Sequence, residues 1–176
     1  MLQLTLEKNT CYNYNKTKRG VDNYLENFSI FLFDWEEFTR WWRQAEHTLA
    51  SAERDKAAGD FAWASFKAQQ AAEYSVKALI RGIGRISVGH STLKLLSDLT
   101  EAGFKISEEI LTAARAVDRH YIPPRYPDAY AGGSPFEFYD VATAESAIAA
   151  ARKIINFIRE VIDSASASRG GREETQ

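Results

Sequence analysis

The sequence predicts an all-α protein, an antiparallel up-and-down bundle of four main helices plus a short one. Three observations lead there. From Asp34 onward apolar residues recur at three- and four-residue spacing, short breaks at glycine or proline separate the periodic segments, and no alternating pattern follows residue 34. With 176 residues, 45% apolar and 26% charged, the chain has enough apolar material for one core and the composition of a globular domain.

Residues 1–33 differ from the rest. Leu2, Leu4 and Leu6 alternate with polar residues, as do Tyr12 and Tyr14 with Asn13 and Asn15, around a turn-prone Lys8-Asn9. That pattern fits a short hairpin, and the Asn, Lys and Thr run that follows fits a mobile arm equally well. The domain proper is expected over 34–163.

Asp34 followed by Glu37 reads as a helix start, and Trp35, Phe38, Trp42, Ala45, Leu49 and Ala52 carry a first helix from Trp35 to Ala58, ended by Gly59. Asp60 is placed to cap a second helix with Phe61, Ala64, Ala68, Ala72, Ser75 and Leu79 on one face, small enough for close approach at the centre of a bundle. Gln69, Glu73 and Lys77 form a polar stripe beside that face. Such a stripe is either a solvated surface with a Glu-to-Lys pair or the lining of a groove or dimer seam.

Gly82, Gly84 and Gly89 make a loop ending at His90. Ser91 then caps a short third helix carrying Leu93, Leu96 and Leu99 and stopped by Gly103. Ser107 starts a fourth, with Ile110, Ala114, Val117 and Tyr121 on its apolar stripe and Pro123-Pro124 at its end. After a loop to Tyr139, Asp140 caps a fifth helix whose apolar face runs from Ala144 through Ile148, Ala151, Ile155 and Ile158 to Ile162. The small, polar 164–176 segment reads as a disordered tail. Trp41, Trp42 and Trp63 either complete the core or belong to a dimer surface.

Twenty-two basic and twenty-four acidic residues leave a formal charge of −2, so any contact with nucleic acid must be local. A single cysteine, Cys11, cannot form an intrachain disulfide, no Cys and His cluster has zinc-ligand spacing, and a reducing cytoplasm is expected. No run has the roughly 20 apolar residues of a membrane helix.

Three blocks, FAWASFKAQQAAEYSVKAL (61–79), GHSTLKLL (89–96) and VDRHYIPPRYPDAY (117–130), together resemble the prokaryotic HEPN domain over roughly 35–162. The resemblance implies a bundle that forms a homodimer, needs no cofactor or metal, and is often encoded beside a minimal nucleotidyltransferase in toxin-antitoxin or defence settings. Some members are metal-independent endoribonucleases; others bind nucleotide or RNA, or are noncatalytic partners. The ribonucleases carry an Arg, four to six residues, then a His.

At that place this chain has Arg125-Tyr126-Pro127-Asp128-Ala129-Tyr130, so Tyr130 stands where the histidine would. Arg125 can still offer a cation to phosphate, whereas a phenol, with an ordinary pKa near about 10, is a poor general base. Arg125 and Tyr130 are the catalytic candidates. Arg125, Tyr126, Asp128, His90, Lys77 and Arg81 are those for nucleotide or RNA binding, with Arg85 beside them. Structural alternatives stand next to these: Arg125 paired to Asp128 with Tyr126 packed on the bundle, and His90 fixing its own loop. A literal Arg-to-His spacing at Arg115 and His120 falls inside the fourth helix, about 140° apart around its axis, and is set aside.

Overall fold

A computed structural model describes residues 33–173, with side chains to 166. The expected hairpin or arm lies outside these residues. Five α-helices follow one another, α1 Trp35–Ala58, α2 Phe61–Gly82, α3 Thr92–Glu101, α4 Glu108–Asp118 and α5 Val141–Glu173, and among the described residues there is no strand. Two short 3-10 turns, Pro127–Ala129 and Pro135–Glu137, punctuate the connection from α4 to α5.

The starts are written in local chemistry. Asp34 accepts the Glu37 N–H at 2.9 Å, Ser91 the Lys94 N–H at 3.2 Å, Ser107 the Ile110 N–H at 3.4 Å and Asp140 the Thr143 N–H at 2.8 Å. Asp60 is the exception: it occupies the position before α2 but makes no capping bond. Gly59 closes α1 in the left-handed region at φ 87°, which lets α2 turn straight back along α1.

α2 is the central helix, packing against all four others. Its Ala64, Ala68, Ala72, Ser75 and Leu79 are fully buried, and the large side chains that fill the space beside them come from Leu95, Leu96 and Leu99 of α3 and Ile154 and Ile158 of α5. Small residues on the middle helix let its neighbours come close enough for dense packing. At its far end the Phe33 ring lies over Gly82, where any Cβ would run into it, and the Asp34 N–H bonds the Gly82 carbonyl at 2.8 Å. That contact fixes where α1 begins. Trp41 and Trp42 pack against the core, while Trp63 stays half exposed.

Two boundaries differ from the sequence expectation. α4 ends at Asp118, so His120 and Tyr121 leave the helix and lie in the turn that follows. Pro123 and Pro124 can neither bond the carbonyls of Arg119 and His120 nor tolerate them close by, which removes the last turn. α5 runs past Asp163, to Glu173. Ala165, four residues past Val161, extends the inward face and is buried, and the Ser166 hydroxyl donates back to the Ile162 carbonyl. No helix among the described residues is long and apolar enough to cross a membrane.

Candidate functional site

The polar stripe on α2 is buried rather than solvated. Gln69 and Glu73 are closed off from solvent and Lys77 is nearly so. Buried polar groups must find partners, and here they find one another. The Glu73 carboxylate accepts from Lys77 Nζ at 2.8 Å, from Gln69 and Gln70 Nε2 at 3.2 and 3.1 Å, and lies 3.2 Å from His90 Nδ1. Gln69 Nε2 also donates to the His90 backbone carbonyl at 2.9 Å.

These bonds hold the glycine-rich loop after α2 onto the helix and leave the His90 ring partly in solvent, its side chain 55% exposed. A carboxylate only accepts, so the bond to Glu73 assigns the proton to Nδ1 and leaves Nε2 as the acceptor. Asp118, the last residue of α4, completes the placement. It accepts from Thr92 N, Ser91 Oγ and Leu93 N at 2.7, 2.8 and 3.1 Å, joining the end of α4 to the start of α3 directly after His90.

Tyr121 connects this loop to the Pro-rich segment. The His90 ring stacks on it at 4.7 Å between centroids, and the Arg125 guanidinium carbon lies 4.5 Å from the same ring centre. Arg125 is also 4.5 Å from the Phe66 ring and 5.0 Å from Tyr126, and its Nε donates to the Tyr121 carbonyl at 2.8 Å. Three rings and one carbonyl hold the guanidinium, and among the described residues its terminal amino groups have no hydrogen-bond partner. Arg125 and Asp128 form no ion pair; Asp128 is exposed on the first 3-10 turn.

The remaining candidates are placed elsewhere. Lys77 is buried on Glu73, and Arg81 donates from Nε to Ser87 Oγ at 3.2 Å while lying over the Trp41 ring, so neither joins Arg125 in one basic patch. Arg85 is exposed on the loop. Arg115 pairs with Glu108 at 2.6 Å.

Tyr130 stacks flat on Phe138 at 4.1 Å. Next to it Tyr139 bonds His120 Nδ1 at 3.2 Å. Burial, and then the neighbouring Tyr130, pushes the Tyr139 phenol far above its ordinary range.

Burial, followed by the nearby Arg119 charge, lowers the His120 pKa below the ordinary 6.5. The unfolded chain therefore binds this proton more readily than the folded one. The stability associated with neutral His120 is fully present above about pH 6.5 and is lost as pH falls from there towards the lowered folded value. Urea denaturation of wild type and His120→Gln from pH 8 to pH 5 checks this. The wild type loses stability relative to the variant on acidification, and parallel curves would reject the assignment.

The sequence pointed to no role for Phe66, Tyr139 or Asp118, and it put Tyr121 on the apolar stripe of the fourth helix. Of these Asp118 had a signal, a carboxylate in the third block and a helix start in the second, but those lie 26 residues apart. Among the described residues no group of three or more His, Cys, Asp or Glu could hold a metal ion.

A model of the HEPN domain matches residues 38–161. The crystal structure of a protein from Thermus thermophilus is 42% identical, covering 70% of this chain and 97% of that one, with a TM-score of 0.68. An archaeal HEPN homologue is 35% identical over 71% of this chain and 97% of its own, with a TM-score of 0.61. An HEPN domain protein from Thermotoga maritima is 32% identical over 70% and 98%, with a TM-score of 0.57. No curated protein matches. Over the bundle that carries Glu73, His90 and Arg125, this chain belongs to the HEPN domain family.

Proposed function

We propose that the protein binds RNA or a nucleotide through a phosphate held by Arg125. The observation that carries this reading is the Arg125 side chain itself, fixed by Tyr121, Phe66 and Tyr126, with its terminal amino groups unbonded among the described residues. A planar fork held in place loses little entropy on meeting a phosphate, and aromatic faces beside it suit unstacked bases. With an overall charge of −2 the attraction is local, so affinity should fall only modestly with salt.

Titration of a fluorescent oligoribonucleotide tests it. Arg125→Ala weakens binding at least about tenfold and lowers the slope of log affinity against log salt by about one; unchanged affinity would sink the reading. In the same reading the domain works as a homodimer beside a minimal nucleotidyltransferase, as membership of the family suggests.

A second reading, metal-independent cleavage of RNA, is favoured by one observation: a buried carboxylate orients a part-exposed imidazole that stacks on Tyr121, the same ring that Arg125 contacts. In that reading the proton acceptor is His90, and Tyr130 is a packing residue.

A further inference from the structure

The start of α2 and the segment from Pro124 to Phe136 border a half-open cavity of about 320 Å³, with Asp60, Phe61 and Trp63 on the helix side and Arg125, Pro127 and Phe136 on the other. Its size lies at the small end of ligand pockets, enough for one flat heterocycle. We propose that this cavity is a subsite for an unstacked guanine base whose attached phosphate lies on Arg125. The proposal rests on the phosphate-binding reading of Arg125 and adds the base that goes with it.

Aromatic exposure is the first support. Trp63 is 50% exposed and Phe136 74% exposed, two large rings from different elements bordering one cavity. Neither is a loose side chain on a mobile loop. Trp63 lies in the first turn of α2 and packs edge-on against Phe66, the ring that also carries Arg125. Phe136 sits in the Pro135–Glu137 turn, where Pro135 is buried and the Glu137 carboxylate accepts the Ser134 N–H. Exposed rings on anchored backbone are stacking platforms for a base.

Asp60 supplies the second. Asp34, Ser91 and Ser107 spend their side-chain oxygens on their own helices; Asp60 does not, and its carboxylate makes no hydrogen bond among the described residues. A free carboxylate on the wall of an aromatic cavity accepts hydrogen bonds only. Guanine presents N1–H and an amino N–H side by side, matching its two oxygens. Adenine, cytosine and uracil each offer one such group. The cavity thus carries an acceptor for a base edge and a cation for a phosphate, on different walls and not paired with each other.

Fluorescence anisotropy on the full chain with two labelled probes, hexauridylate and hexauridylate bearing one central guanosine, tests the subsite. Wild type binds the guanosine probe about tenfold more tightly. Trp63→Ala and Phe136→Ala each remove that gain while changing hexauridylate affinity less than about threefold, consistent with one stacked base. Asp60→Asn removes the gain as well. Circular dichroism confirms that the variants, all at exposed positions, keep the fold. Equal affinity for the two probes, or a gain that survives Trp63→Ala and Phe136→Ala, overturns the subsite. If hexauridylate then still binds in an Arg125-dependent way, the phosphate reading stands alone; if neither probe binds, both fall.

Discussion

Glu73→Ala lowers the free energy of unfolding by about 3–5 kcal/mol. Glu73 is 1% exposed and receives Lys77, Gln69 and Gln70 while facing His90. Removing the carboxylate leaves the Lys77 ammonium, on a side chain 9% exposed, without its ion-pair partner. The Trp41 ring 5.8 Å from Nζ does not replace a charge-assisted bond. The loss comes mainly from the stranded cation, so the double variant Glu73→Leu with Lys77→Met recovers most of it. Urea denaturation of wild type, single and double variants measures both. A single variant within about 1 kcal/mol of wild type, the range of an exposed pair, would show that the stripe is solvated after all.

The same network shows which parts of the molecule local sequence can disclose. The bounds of α1 follow from Asp34, Glu37 and Gly59, because capping and the left-handed turn are settled within a few residues. The burial of Gln69, Glu73 and Lys77 is not local. Their four-residue spacing is the same whether the face meets water or a loop, and what covers it is the chain around His90, 17 residues beyond Glu73. The place of Arg125 was legible as a motif position, but its setting among Phe66, Tyr121 and Tyr126 depends on α4 ending early enough to release Tyr121. The two prolines gave the direction of that break and not its position. Tyr130 at the histidine position draws attention to the loop itself, whereas the imidazole that shares the Tyr121 ring with Arg125 arrives from before α3.

That arrangement makes His90→Ala the sharpest test of catalysis. If the site cleaves RNA, Arg125 holds the scissile phosphate and His90 Nε2 takes the proton from the neighbouring 2'-hydroxyl. The 2'-oxygen then bonds to phosphorus, the bond from phosphorus to the 5'-oxygen breaks, and that oxygen takes up a proton from water. The products are a 2',3'-cyclic phosphate and a 5'-hydroxyl. Loss of a positioned general base costs about 10²–10⁴-fold in rate, so His90→Ala falls by that factor while binding the substrate as wild type does. Its fold is protected because Gln69 bonds the backbone carbonyl of residue 90, which alanine keeps. Tyr130→Phe, by contrast, retains the stacked ring on Phe138 and changes the rate less than about threefold, within ordinary context effects for a residue outside the chemistry. Single-turnover cleavage in the presence of chelator, with binding measured in parallel, separates the cases. Intact RNA with wild-type protein, or undiminished cleavage by His90→Ala, would remove His90 from the chemistry and leave the Glu73 network as the anchor of the loop.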